Sequence, residues 1–68
     1  MGLMKSFAVN MKKARQQRQL SQEALAHRVG LCTSYVSMLE RGQRSPPLDT
    51  IESIARALNV QPQQLLAK

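Results

Sequence analysis

Phe7, Met11 and Ala14 recur at intervals of three and four residues, with Met4 one turn earlier, while Lys5, Lys12, Lys13 and Arg15 largely fill the other positions. That spacing follows the 3.6-residue helical repeat and predicts a first helix over about residues 4 to 18 with a single apolar face. Gln19, Leu20 and Ser21 interrupt it. Ser21 is placed to cap a second helix, because its hydroxyl can accept from the free amides of a first turn, and Glu23 in that turn favours the positive helix end. Ala24, Leu25 and Val29, joined by Ala26, form the apolar side of a helix over about 22 to 29. Gly30 stops it, since glycine enters the left-handed conformation without the penalty a Cβ brings.

Only Leu31 and Cys32 or Thr33 then precede a new apolar spacing set by Tyr35, Val36 and Leu39, with Met38 beside them, which predicts a third helix over about 33 to 41 before Gly42. Two helices joined by a turn of three or four residues cross steeply instead of lying antiparallel. Gln43 to Pro47 reads as a loop because two prolines cannot both sit inside a helix, and Leu48 is expected to pack just beyond it. Asp49 or Thr50 opens a fourth helix whose buried face is Ile51, Ile54, Ala55 and Leu58. Asn59 and Val60 turn the chain, and Pro62 suits the first turn of a short fifth helix that buries Leu65 and Leu66. No strand pattern competes, so residues 1 to 68 are expected to form one all-α domain.

A chain of 68 residues buries only about 60% of the surface its unfolded form exposes, so its core needs support. A disulfide within the chain is excluded because Cys32 is the sole cysteine, and with one histidine, His27, a four-ligand structural zinc site is not expected. Tight helix packing and a partner subunit remain. Ten Lys and Arg against four acids give a formal net charge of +6, which points to a polyanion as partner. Tyr35 and Phe7 are the only aromatic residues, so the stacking platforms that unpaired nucleic acid uses are scarce and duplex DNA fits better. No apolar run approaches the length of a membrane span, and no membrane partner, cofactor or small-molecule ligand is expected. A cytoplasmic, nucleoid-associated protein is implied. The opening MGLMKS matches a short N-myristoylation pattern, and Met4 is an equally good start.

Gln22, Ala26, Gly30, Val36 and Leu39 stand at the spacing Q-x(3)-A-x(3)-G-x(5)-[IV]-x(2)-[LIW], followed by LERGQRSP at Leu39 to Pro46 and IESIARAL at Ile51 to Leu58. With Phe7, Met11, Arg15 and LSQ at 20 to 22, these segments resemble the Xre/Cro-like, phage repressor-type helix-turn-helix transcriptional regulators. The resemblance implies a five-helix lambda-repressor-like DNA-binding domain, with the motif at helices two and three over about residues 21 to 41. It also implies a homodimer that reads a palindromic operator.

Position by position, Ala26 is small where the two motif helices come closest, and Val36 with Leu39 anchors the third helix to the core. Thr33, Ser34, Ser37 and Met38 are thereby left facing outward or sideways. A helix fits the major groove, where hydroxyls donate or accept at base edges and methyl groups meet thymine. In the family, the positions matching these four residues contact bases. Gln22 matches a position that meets a phosphate, and Arg41, Gln43 and Arg44 follow the recognition helix on its backbone side. Arg15 and Glu40 match positions that form a structural ion pair. No Arg, Asn or Gln is among the four base readers, so shape readout is expected to share the discrimination.

Two residues depart from the family pattern. Gln19 stands where glycine is common after helix one, and Cys32 stands where Ser or Thr often caps the recognition helix. Either Thr33 takes that cap or the helix start is weakly capped. Cys32 itself reads as a small apolar filler. Leu65, Leu66, Val60 and the edges of helix four are the expected dimer surface. A protein-interaction module, such as an antitoxin or adaptor built on the same fold, is the alternative, and its sign would be a large exposed apolar patch. An enzyme is not expected, because one histidine, one cysteine and four scattered acids make no catalytic constellation.

Overall fold

The computed structural model describes residues 3–67, with side chains from Lys5 onward. Gly2, the residue an N-myristoylation pattern would modify, lies outside the described residues, as does the side chain of Met4. Five helices make up the described chain: α1 (Leu3–Gln17), α2 (Gln22–Val29), α3 (Thr33–Glu40), α4 (Leu48–Leu58) and α5 (Pro62–Leu66). Their apolar faces close one core in which Phe7, Met11, Leu25, Val36, Leu39, Ile54, Leu58 and Leu65 are fully buried. α1 packs against α3 and α5, α2 against α3 and α4, and α4 against α5. Asn10 donates from Nδ2 to the carbonyl oxygens of Leu65 (3.0 Å) and Ala67 (2.6 Å), which holds the end of α5 on α1.

α1 to α4 end in the same way. A residue with positive φ, in turn Gln19, Gly30, Gly42 and Asn59, reverses the chain. The next residue's amide then bonds back to a last-turn carbonyl: Leu20 to Arg15 (3.2 Å), Leu31 to Ala26 (2.9 Å), Gln43 to Met38 (2.9 Å) and Val60 to Ala55 (3.0 Å). These bonds satisfy carbonyls that the helix itself leaves without partners. At Gly30 the conformation is free of Cβ strain, whereas at Gln19, with φ 58°, it costs about 1 kcal/mol.

Three expectations are corrected. Leu48 does not pack: Pro46 takes the buried position of this loop, α4 starts at Leu48 itself, and the Leu48 side chain is 64% exposed. Leu65 belongs to the protomer's own core, at 1% exposure beneath α1, and offers no surface to a second subunit. Cys32 fills no gap, because it sits at the exposed start of α3.

Candidate nucleic-acid interface

Ser21, in extended conformation, accepts from the Ala24 amide through Oγ at 2.9 Å and so starts α2. Gly30, Leu31 and Cys32 alone separate α2 from α3. The turn is tight enough to seat Ala26, 2% exposed, inside the core with Val36 and Leu39 of α3. With Val36 and Leu39 inward, helical spacing fixes what α3 shows to solvent. Ser34, Ser37, Met38 and Arg41 fall at i, i+3, i+4 and i+7, a single stripe along the outer face. Thr33 and Ser34 are exposed in the first turn, and Ser37 and Met38 are half-buried further along.

Arg41 caps the C-terminal end of α3, and its Nε lies 3.4 Å from the Ser37 carbonyl oxygen. The guanidinium therefore folds back over the last turn of α3. From sequence Arg41 belongs with Gln43 and Arg44 beside the backbone, and the helical count shows that it also shares the stripe of Ser34 and Ser37. Gln43 and Arg44 are exposed in the segment that leaves the helix. Cys32 takes the N-cap position of α3 in extended conformation and supplies no side-chain cap, and Thr33 is already helical. The first amides of α3 thus face outward without a protein cap, a geometry that suits an anion.

Behind this face Arg15 and Glu40 form a nearly dry ion pair, with side chains 10% and 3% exposed. Arg15 donates from Nε to Glu40 Oε2 at 2.6 Å and from Nη2 to Oε1 at 3.0 Å, a two-pronged match of guanidinium and carboxylate. Its Nη1 reaches the Leu20 carbonyl oxygen at 2.7 Å, which ties the turn after α1 to the same group. Gln22 joins from the start of α2, donating from Nε2 to Glu40 Oε1 at 3.0 Å. Sequence reasoning missed this bond. Its only signal was that residues 15, 22 and 40 each carry a polar side chain on a helix that packs into the core.

Residues 21 to 41 contain two acids, Glu23 and Glu40, and the charge of Glu40 is met by Arg15. Lys12, Lys13, Arg18 and Arg28 are exposed, and Arg18 donates from Nη2 to the Asn59 carbonyl oxygen at 3.2 Å. Among the described residues no three His, Cys, Asp or Glu side chains converge to hold a metal. Nor is any helix there long and apolar enough to cross a membrane.

Comparison with known proteins places this geometry in a wider set. Residues 11–65 match the helix-turn-helix family. The control protein C.BamHI of Bacillus amyloliquefaciens is 51% identical over 47 residues, a match covering 69% of this chain and 58% of that protein. The crystal structure of a hypothetical transcription factor from Neisseria, NHTF, superposes with a TM-score of 0.93 at 41% identity, covering 97% of this chain and 76% of that one. The restriction-modification controller protein C.AhdI from Aeromonas hydrophila superposes with a TM-score of 0.87 at 40% identity, covering 91% and 90%.

Proposed function

The chain belongs to the helix-turn-helix family, and on that footing we propose that it is a sequence-specific regulator of transcription that binds double-stranded DNA with α3 in the major groove. The observation that carries the proposal is the outward stripe of α3. A helix pinned by Val36 and Leu39 turns Ser34, Ser37, Met38 and Arg41 away from the core, with an uncapped N-terminus at one end and Arg44 beyond the other. Thr33, Ser34, Ser37 and Met38 are the base-reading side chains in this account, and Gln22, Arg41, Gln43 and Arg44 the phosphate contacts. It is a binding module, not an enzyme.

Residues 1 to 68 act as one DNA-binding unit and pair into a homodimer on a palindromic operator, with half-sites about 34 Å apart. Two copies double a modest set of contacts. Half-buried Val60 and Leu66 supply apolar surface for the pairing. The likeness to control proteins supports a regulator that acts in the cytoplasm, at the nucleoid, with its output set by its own concentration or by a partner. The interaction-module alternative gains no support: the large apolar side chains exposed among the described residues, Val9 and Leu48, are single positions on different helices.

Selection of bound sequences from a random duplex pool, followed by a salt titration, tests the proposal. A palindromic consensus is expected, and log K should fall with log salt by about 0.9 for each phosphate neutralised. A pool without enrichment, or a flat salt response, would contradict it.

A further inference from the structure

We propose that Glu40, an acid with no place in direct contact with DNA, is a positioning residue for phosphate binding: it holds the Gln22 amide in the orientation the phosphate needs. The inference rests on the DNA-binding reading above and concerns how that site is set before DNA arrives.

A carboxylate only accepts hydrogen bonds, so Glu40 Oε1 at 3.0 Å requires the nitrogen end of the Gln22 amide. Amide rotation would place carbonyl oxygen against carboxylate oxygen. One N–H of the –NH2 group is therefore spent on Glu40, and the second is left to donate to a further acceptor, which in this account is the phosphate. A free glutamine has three rotatable bonds to freeze before it meets a phosphate, and Gln22 has part of that ordering in place. Glu40 can do this next to an incoming polyanion because Arg15 neutralises it through both carboxylate oxygens. Arg15 is in turn fixed by the Leu20 carbonyl, one residue before the Ser21 cap of α2. The ion pair thus joins α1, α3 and the first turn of α2 through one carboxylate, and among the described residues Gln22 is its one branch toward the proposed DNA surface.

A structural role alone predicts something different, and replacing the pair as a whole separates the two. In Arg15→Met/Glu40→Met, apolar side chains of similar length fill the site without leaving a buried charge, a replacement that proteins often tolerate. Gln22 then has no tether. In nuclear magnetic resonance spectra of the DNA-free protein, the two Gln22 side-chain amide protons should be well separated and slow to exchange, and should collapse to free-glutamine values in the double variant. On an operator duplex, Gln22→Ala should weaken binding about tenfold in the native background. The double variant should show a similar loss by itself, and adding Gln22→Ala to it should cost almost nothing more. Because Gln22 is uncharged, the salt slope should stay the same throughout, whereas loss of a cationic contact would lower it by about 0.9.

Free-glutamine amide signals in the native protein, or a full Gln22→Ala loss in both backgrounds, would overturn the proposal while leaving the DNA-binding reading intact. Ordered Gln22 signals with no operator binding by the native protein would instead overturn that reading, and this role for Glu40 with it. If that double variant does not fold, Arg15→Leu/Glu40→Leu supplies the same comparison with shorter apolar side chains and no acceptor for Gln22. It should release the Gln22 amide protons, and their retention with an unchanged Gln22→Ala loss would overturn the proposal.

Discussion

The two helices of the motif begin in opposite ways. α2 starts with a capped first turn, Ser21 on the Ala24 amide, and its leading side chain is tethered through Glu40 to Arg15. α3 starts at Cys32 with no side-chain cap, and Thr33 and Ser34 stand exposed. The end assigned to the phosphate backbone is therefore built in advance, and the end assigned to the bases is left open. That division suits the task, because a phosphate presents the same chemistry in every site whereas base edges change from site to site.

The largest effect is expected at the buried ion pair behind α2. Glu40→Ala leaves the Arg15 guanidinium without its carboxylate in a nearly dry position, and the expected loss is about 3–5 kcal/mol, enough to unfold much of a domain this small. Urea denaturation followed by circular dichroism measures it, and near-native stability would show that the pair is not integral to the fold.

At the open end the effects belong to binding. Ser34→Ala and Ser37→Ala should each cost about 1 kcal/mol in discrimination between the selected operator and its variants, while leaving the fold intact. Competition binding with single-base operator variants reads this, and a uniform loss across all sequences would move those serines to the backbone class.

Two smaller changes sharpen the contrast by altering the helix ends themselves. Cys32→Ser supplies α3 with the cap that α2 already has and should add about 1 kcal/mol of stability, a rise in Tm of roughly 4–8 °C. No change in thermal melting would mean that the first turn of α3 is already satisfied by water. Gln19→Gly removes the strain of a positive φ but loosens the unfolded chain, so a gain below about 1 kcal/mol is expected. Melting of this variant with that of Cys32→Ser tells the two contributions apart, and a lower Tm for Gln19→Gly would show that Gln19 carries a contact the backbone argument omits.

Much of this architecture was legible from apolar spacing. The faces of α1 and α4 follow directly from Phe7, Met11 and Ala14 and from Ile51, Ile54, Ala55 and Leu58, because a small core leaves periodic apolar residues nowhere else to go. The cap at Ser21 and the reversal at Gly30 are local chemistry and were equally visible. Leu48 was not, since neither hydropathy nor spacing says whether a leucine near a loop meets its own core or open solvent, and the burial of Leu65 was legible but its absence from any subunit surface was not. The Gln22 to Glu40 bond spans 18 residues and depends on how α2 and α3 cross, which periodicity along one helix does not encode. Arg41, expected beside the phosphate backbone at the end of the third helix, is the C-cap of α3 and also lies in register with Ser34 and Ser37, a detail that follows from where the helix ends.

DNA is expected to meet the protein on the outer side of α2 and α3. Titration of isotope-labelled protein with the selected operator duplex, followed residue by residue through backbone and side-chain amide resonances, tests it most directly. The largest shifts should fall on Gln22, Thr33, Ser34, Ser37, Met38, Arg41 and the Gln22 side-chain amide, with α5 and the outer face of α4 little changed beyond any dimer contact. Saturable binding with the shifts gathered on α4 and α5, and Thr33 through Arg41 unmoved, would contradict it.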